Sequence, residues 1–174
     1  MIRRSETLVL VVCGAAGVAQ GLLWAFLAPG VPYKVLADGR YGALPSTSSY
    51  HFVSLALFCW LGILVGVLTA VGTWRSSATR GWPMQLTLVG GSVAGALIAW
   101  GLGLLVAPGT DPASVGATAA DSIVVAAPAT GTILAVLAQP VAAAVVYTFL
   151  VAWNGRPDLA VSSRPGAGTP RTDP

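Results

Sequence analysis

Charge is what this sequence has least of. Only 9% of its 174 residues are Asp, Glu, Lys or Arg, where an average soluble domain carries about 25%. Lys34 is its one lysine and His51 its one histidine. Such a chain leaves little for a separate soluble domain. The net charge of +3 and a pI near 9.2 do not point to nucleic acid. The basic residues are scattered at the ends of apolar runs, not gathered into a patch with aromatics, so no nucleic-acid partner is expected. Cysteine is scarce too. Cys13 and Cys59 lack Cys-x-x-Cys spacing. On helices they would differ in depth by roughly 12 Å, whereas a disulfide needs Cα atoms within about 7 Å. Both read as small apolar residues.

Signatures of chemistry are missing as well. There is no phosphate-cradling glycine loop, no Gly-x-Ser-x-Gly and no His-Glu-x-x-His. His51 with Asp38, Asp111 and Asp121 has no spacing of a metal or acid–base cluster. The long apolar runs hold no charged residue, which proton-coupled transporters and voltage sensors usually need. The expectation is a non-enzymatic protein with no catalytic residues, no cofactor and no metal.

What is present is long apolar sequence. Phe52 to Trp74 reads FVSLALFCWLGILVGVLTAVGTW, with Arg75 directly after. A run of this length crosses a hydrocarbon core of roughly 30 Å as one helix. With about a dozen Leu, Ile, Val and Phe at roughly −0.3 to −0.6 kcal/mol each, insertion gains on the order of 4–7 kcal/mol. Leu8–Ala28, Met84–Val106 and Thr132–Ala152 are similar. The expected fold is therefore an all-α integral membrane protein, a four-helix bundle forming a single domain over residues 1–160. The first run also has the charged start of a cleaved signal, but it is long and ends in Trp-Ala-Phe-Leu-Ala-Pro. Val12 before Cys13 is too large for a lipoprotein cleavage box. The Pro- and Gly-rich tail, residues 161–174, is expected to be disordered.

Two long loops join the spans. Residues 30–51 form a polar loop with a turn at Asp38-Gly39. Residues 107–131 form the second, in which Ser122–Ala126 reads as a short strand. Basic residues near the spans set orientation. Arg3, Arg4, Arg75, Arg80, Arg156, Arg164 and Arg171 fall on one side, Lys34 and Arg40 on the other. This places both termini and the hinge from Arg75 to Pro83 in the cytoplasm, and the long loops outside. Trp24 and Trp100 at one end, with Trp74, Trp82 and Trp153 at the other, read as interfacial belts. Trp60 falls inside a span, against a neighbour or lipid.

Small residues give the packing devices, since helices in lipid associate through close backbone approach. Gly91, Gly95, Ala99 and Gly103 form a stripe at steps of four; Gly17 and Gly21, and Gly62, Gly66 and Ala70, offer shorter ones. They read as intramolecular packing faces, with self-association as the alternative. Gln20 and Gln139 are the most informative polar pair within the spans. By helical rise they lie about 18 and 20 Å from the inner surface. Pro140 removes a backbone donor and frees the Val136 carbonyl, which a Gln amide can serve. The first and fourth spans are thus expected to touch at Gln20, Gln139 and a Pro140 kink.

Trp24-Ala-Phe-Leu-Ala-Pro29, His51-Phe52, Ala126-Ala-Pro128 and Arg156-Pro-Asp-Leu159 resemble an uncharacterised family of four-helix membrane proteins from mycobacteria and related actinobacteria, a domain of unknown function. The likeness covers roughly residues 21–160, and eight arginines against one lysine suit a GC-rich bacterial genome. The resemblance implies source and architecture. It brings no catalytic residue. The expected role is an accessory or scaffold subunit of a larger complex in the bacterial cytoplasmic membrane, with the bilayer and another membrane or envelope protein as partners. The alternative is a small oligomeric transporter or channel around the Gln pair.

Overall fold

The computed structural model describes residues 4–38, 40–76, 81–115 and 121–153. Four helices in it are long and apolar enough to cross a membrane. They are α1 (Arg4–Leu27), α2 (Thr47–Ser76), α3 (Trp82–Val106) and a fourth span made in two parts. That last span opens as a 3-10 helix, Ile133–Leu137, and continues as an α-helix, Ala138–Trp153. A single turn, α4 (Pro112–Val115), lies in the second long loop, so the final helix is α5.

The helices outrun the apolar sequence at their ends. α1 begins at Arg4, not Leu8, and α2 at Thr47, not Phe52. A spanning backbone satisfies its polar groups internally, and nothing at those ends breaks the ladder. Thr47 fixes the start of α2: its hydroxyl accepts the Leu44 N–H at 2.9 Å and donates to the Pro32 carbonyl at 3.2 Å.

Each helix has two principal neighbours. α1 packs along α3, α2 along α5, and these pairs close through α1 on α2 and α3 on α5. Contacts advance together in α1 and α3 (Gly17 on Gly95, Gly21 on Ala99), so these two run parallel. The bond from Gln85 to Thr148, 2.8 Å, ties the start of α3 to the end of α5 and shows them antiparallel. α1 and α5 are therefore the diagonal pair. The first and fourth spans, expected to touch at Gln20 and Gln139, are diagonal in this ring and bring those two residues to one point beside Gly62.

Two apolar clusters fill the bundle. Cys13, Leu88, Ala143 and Tyr147 form one, with Trp74 edge-on to Tyr147 at 5.9 Å between centroids. Trp24, Phe58, Ala99 and Ala135 form the other, near the long loops. Trp24 belongs to this core and not to an interfacial belt. It is fully buried, its indole N–H donates to the Ser54 carbonyl at 2.9 Å, and it meets Phe58 edge-on at 5.6 Å. Trp60 lies exposed on the outer wall of the bundle, as do Trp82 and Trp153 at helix ends.

The long loops fold together into a sheet. β1 (Val31–Val35) is central, with β2 (Tyr41–Ala43) and β3 (Ile123–Ala126) antiparallel on either side. The register pairs Lys34 with Gly42 and with Ile123. Val31 and Val35 are buried against the bundle while Lys34 faces away. The second loop was expected to hold a strand; the hairpin of the first loop was not. Its signal is the alternation Val-Pro-Tyr-Lys-Val before Asp38-Gly39. Arg40 N–H donates to the Asp38 carboxylate at 3.0 Å, which closes the turn. Gly39 itself lies outside the described residues. So do Arg3, Arg80, Arg156, Arg164 and Arg171, the motif 156–159 and the tail 161–174.

Candidate functional site

The interior is assembled by small residues. A Cβ placed on Gly17 would run into the Gly95 carbonyl, and one on Gly21 would sit 2.6 Å from the Ala99 oxygen. In return, a Cβ on Gly95 would lie 2.5 Å from the Cys13 oxygen, and one on Gly103 2.6 Å from the Trp24 ring. Gly91 faces Cys13 and Leu10 at 3.2 Å. The stripe of Gly91, Gly95, Ala99 and Gly103 thus lies against α1 of the same chain. Gly66 abuts the Gln139 carbonyl, and Ala142 and Ala143 beyond it, so α2 uses its small residues on α5. Such approach lets dispersion act between backbones where lipid removes any hydrophobic drive.

Between the two apolar clusters sit Gln20 and Gln139, each only 1% exposed. They enter from diagonal helices. A methyl at Gly62 would touch both Gln20 Nε2 and the backbone N of Gln139 at 3.4 Å. The Gln139 amide lies beside Gly95, 3.4 Å from where its Cβ would be. None of the four amide oxygen and nitrogen atoms has a hydrogen-bond partner among the described residues. Neither amide therefore serves the Val136 carbonyl. Pro140 falls in the first turn of α5, after the 3-10 segment. There a missing N–H costs little, so the span changes helix type instead of kinking at mid-length. Orphaned buried amides are rare and each atom costs about 1–3 kcal/mol. This spot is the polar anomaly of the bundle.

At the sheet end the charges pair locally. Lys34 Nζ meets the Asp121 carboxylate at 2.7 Å, and Arg40 meets Asp38 at 3.8 Å. The hydrogen bond and charge of Lys34 hold the Asp121 carboxyl below the usual carboxylate range. Asp111 accepts the Ala113 N–H at the start of α4. His51 is half-buried, with Nε2 3.4 Å from the Tyr33 hydroxyl. Among the described residues, no three His, Cys, Asp or Glu converge as metal ligands. Cys13 and Cys59 are both free thiols.

The outward face of the sheet carries exposed apolar side chains around Lys34. Ile123 and Val125 point the same way as Lys34 and are 61% and 52% exposed. Leu36, 45% exposed, lies next to Gly42 on that face. The sequence carries no signal for the exposure of these three, because it depends on which face of the sheet meets the bundle.

Architecture and interior together define a polytopic membrane protein: four apolar helices joined by small-residue contacts, with a three-stranded sheet capping one end. Its sequence matches over residues 13–161 the family described as a protein of unknown function, DUF2567, and the chain belongs to that family. No curated protein and no solved structure matches it.

Proposed function

We propose that the protein is a non-enzymatic accessory subunit of a larger complex in the bacterial cytoplasmic membrane. It holds an extracytoplasmic segment of a second membrane protein on its sheet. One observation carries this reading: Leu36, Ile123 and Val125 stand exposed around Lys34 on the face of the sheet opposite buried Val31 and Val35. Exposed apolar surface of this kind marks interaction sites. β2 also ends the sheet on one side, and an open edge accepts an extended partner strand. The excess of arginine at the opposite helix ends supports placing the sheet outside. The composition supports an actinobacterial source.

The test is affinity purification from native membranes, comparing wild type with Ile123→Lys/Val125→Lys. A partner held in fixed stoichiometry and lost from the variant supports docking. A partner retained equally by both rejects it. The orphaned amides of Gln20 and Gln139 favour one second reading, a polar station in an oligomeric transporter. Solute flux in proteoliposomes, abolished by Gln20→Met/Gln139→Met, would favour that reading over docking.

A further inference from the structure

A groove of about 360 Å³ runs between α1 and α2 in the half of the bundle remote from the sheet. Ser5, Leu8, Val12 and Ala16 form one wall, Leu68 and Gly72 the other. From Ser5 to Ala16 the groove covers about 16 Å of helix axis. One leaflet of hydrocarbon is about 15 Å deep, half of roughly 30 Å. Its length and apolar walls suit one extended hydrocarbon chain lying along it.

The ends of the two walls carry positive charge. Arg4 shares the exposed side of α1 with Leu8 and Val11, at steps of four and seven. Arg75 follows groove-lining Leu68 and Gly72 on α2, at steps of seven and three. Both arginines are exposed, and neither forms an ion pair among the described residues. Glu6 lies on the other flank of α1, in line with Leu10, Cys13 and Gly17, which face α3. Guanidinium groups pair with phosphate through two parallel hydrogen bonds.

We propose that this groove binds an anionic phospholipid of the leaflet at that end, one acyl chain lying along Leu8, Val12 and Gly72 and the phosphate between Arg4 and Arg75. This site is separate from the sheet and does not depend on docking there. Native mass spectrometry of the full chain tests it, after incubation with equimolar phosphatidylglycerol and phosphatidylcholine. The expected result is one retained lipid with phosphatidylglycerol preferred. Arg4→Gln and Arg75→Gln should each cut that preference about fivefold. A Cβ at Gly72 meets nothing within 4 Å, so Gly72→Phe should fill the groove and release lipid of either headgroup. Excess inorganic phosphate should leave the lipid in place. Equal retention of both lipids by wild type, displacement by phosphate, or an unchanged preference in the double arginine variant would each overturn the proposal. So would undiminished retention by Gly72→Phe.

Discussion

A single methyl group at Gly17 tests the packing directly. The Cβ of Gly17→Ala would be driven into the carbonyl of Gly95, which is backbone and cannot swing aside. At Gly21 the same addition falls 2.6 Å from the Ala99 oxygen, well inside the 3.4 Å where ordinary contact begins. Relief requires α1 and α3 to part by something approaching 1 Å. A gap of about 0.5–1 Å forfeits a quarter to a half of each dispersion contact it opens. Overpacking of this kind costs about 1–3 kcal/mol. We expect about 2–3 kcal/mol for Gly17→Ala and about 1–2 for Gly21→Ala. Two substitutions serve as internal references. A Cβ on Gly14 meets nothing within 4 Å, and one on Gly62 meets its neighbours at 3.4 Å or more. Both should leave stability unchanged or raise it by up to about 1 kcal/mol, the helix preference of Ala over Gly. The assay is reversible unfolding in mixed micelles with rising dodecyl sulfate, followed by tryptophan fluorescence. Equal midpoints for Gly17→Ala and Gly14→Ala would refute the claim that backbone contact holds α1 to α3. So would a larger loss at Gly62 than at Gly17.

Replacing both amides, Gln20→Met/Gln139→Met, should leave the bundle as stable or raise it by about 1–3 kcal/mol, since orphaned polar atoms are removed without loss of volume; a clear loss in the same assay would show that the amides are engaged. Trp24→Phe keeps a ring near Phe58 but deletes the donor to the Ser54 carbonyl, and should cost about 1 kcal/mol. Asp121 is held in its ionised form by Lys34, so the ion pair is still present at the ordinary carboxylate value of 3.8 and is lost as pH falls through the lowered value of Asp121. Lys34→Gln should return the carboxyl to its usual value in an NMR titration, and an unchanged titration would exclude the pairing. Because Asp121 lies at the surface, this change should barely alter bundle stability.

What the sequence determined by itself follows from the solvent it expects. Scarce charge and four apolar runs dictate four helices, because hydrocarbon leaves backbone polar groups no partner outside their own segment. The runs at Phe52–Trp74 and Met84–Val106 fall within α2 and α3 for that reason. The glycine steps were equally legible, since spacing of four marks one helix face. Which helix each face meets was not, because a stripe fits any other smooth stripe until all four helices compete for neighbours. Tertiary structure alone set Gly95 against Gly17, left Gln20 and Gln139 on diagonal helices, and took Trp24 from the interface into the core. It also made the sheet, in which β1 joins β3 across a whole pair of helices. Pairings so distant in sequence depend on how the bundle brings the loops together, and the faces of Ile123 and Val125 are fixed only once that pairing exists.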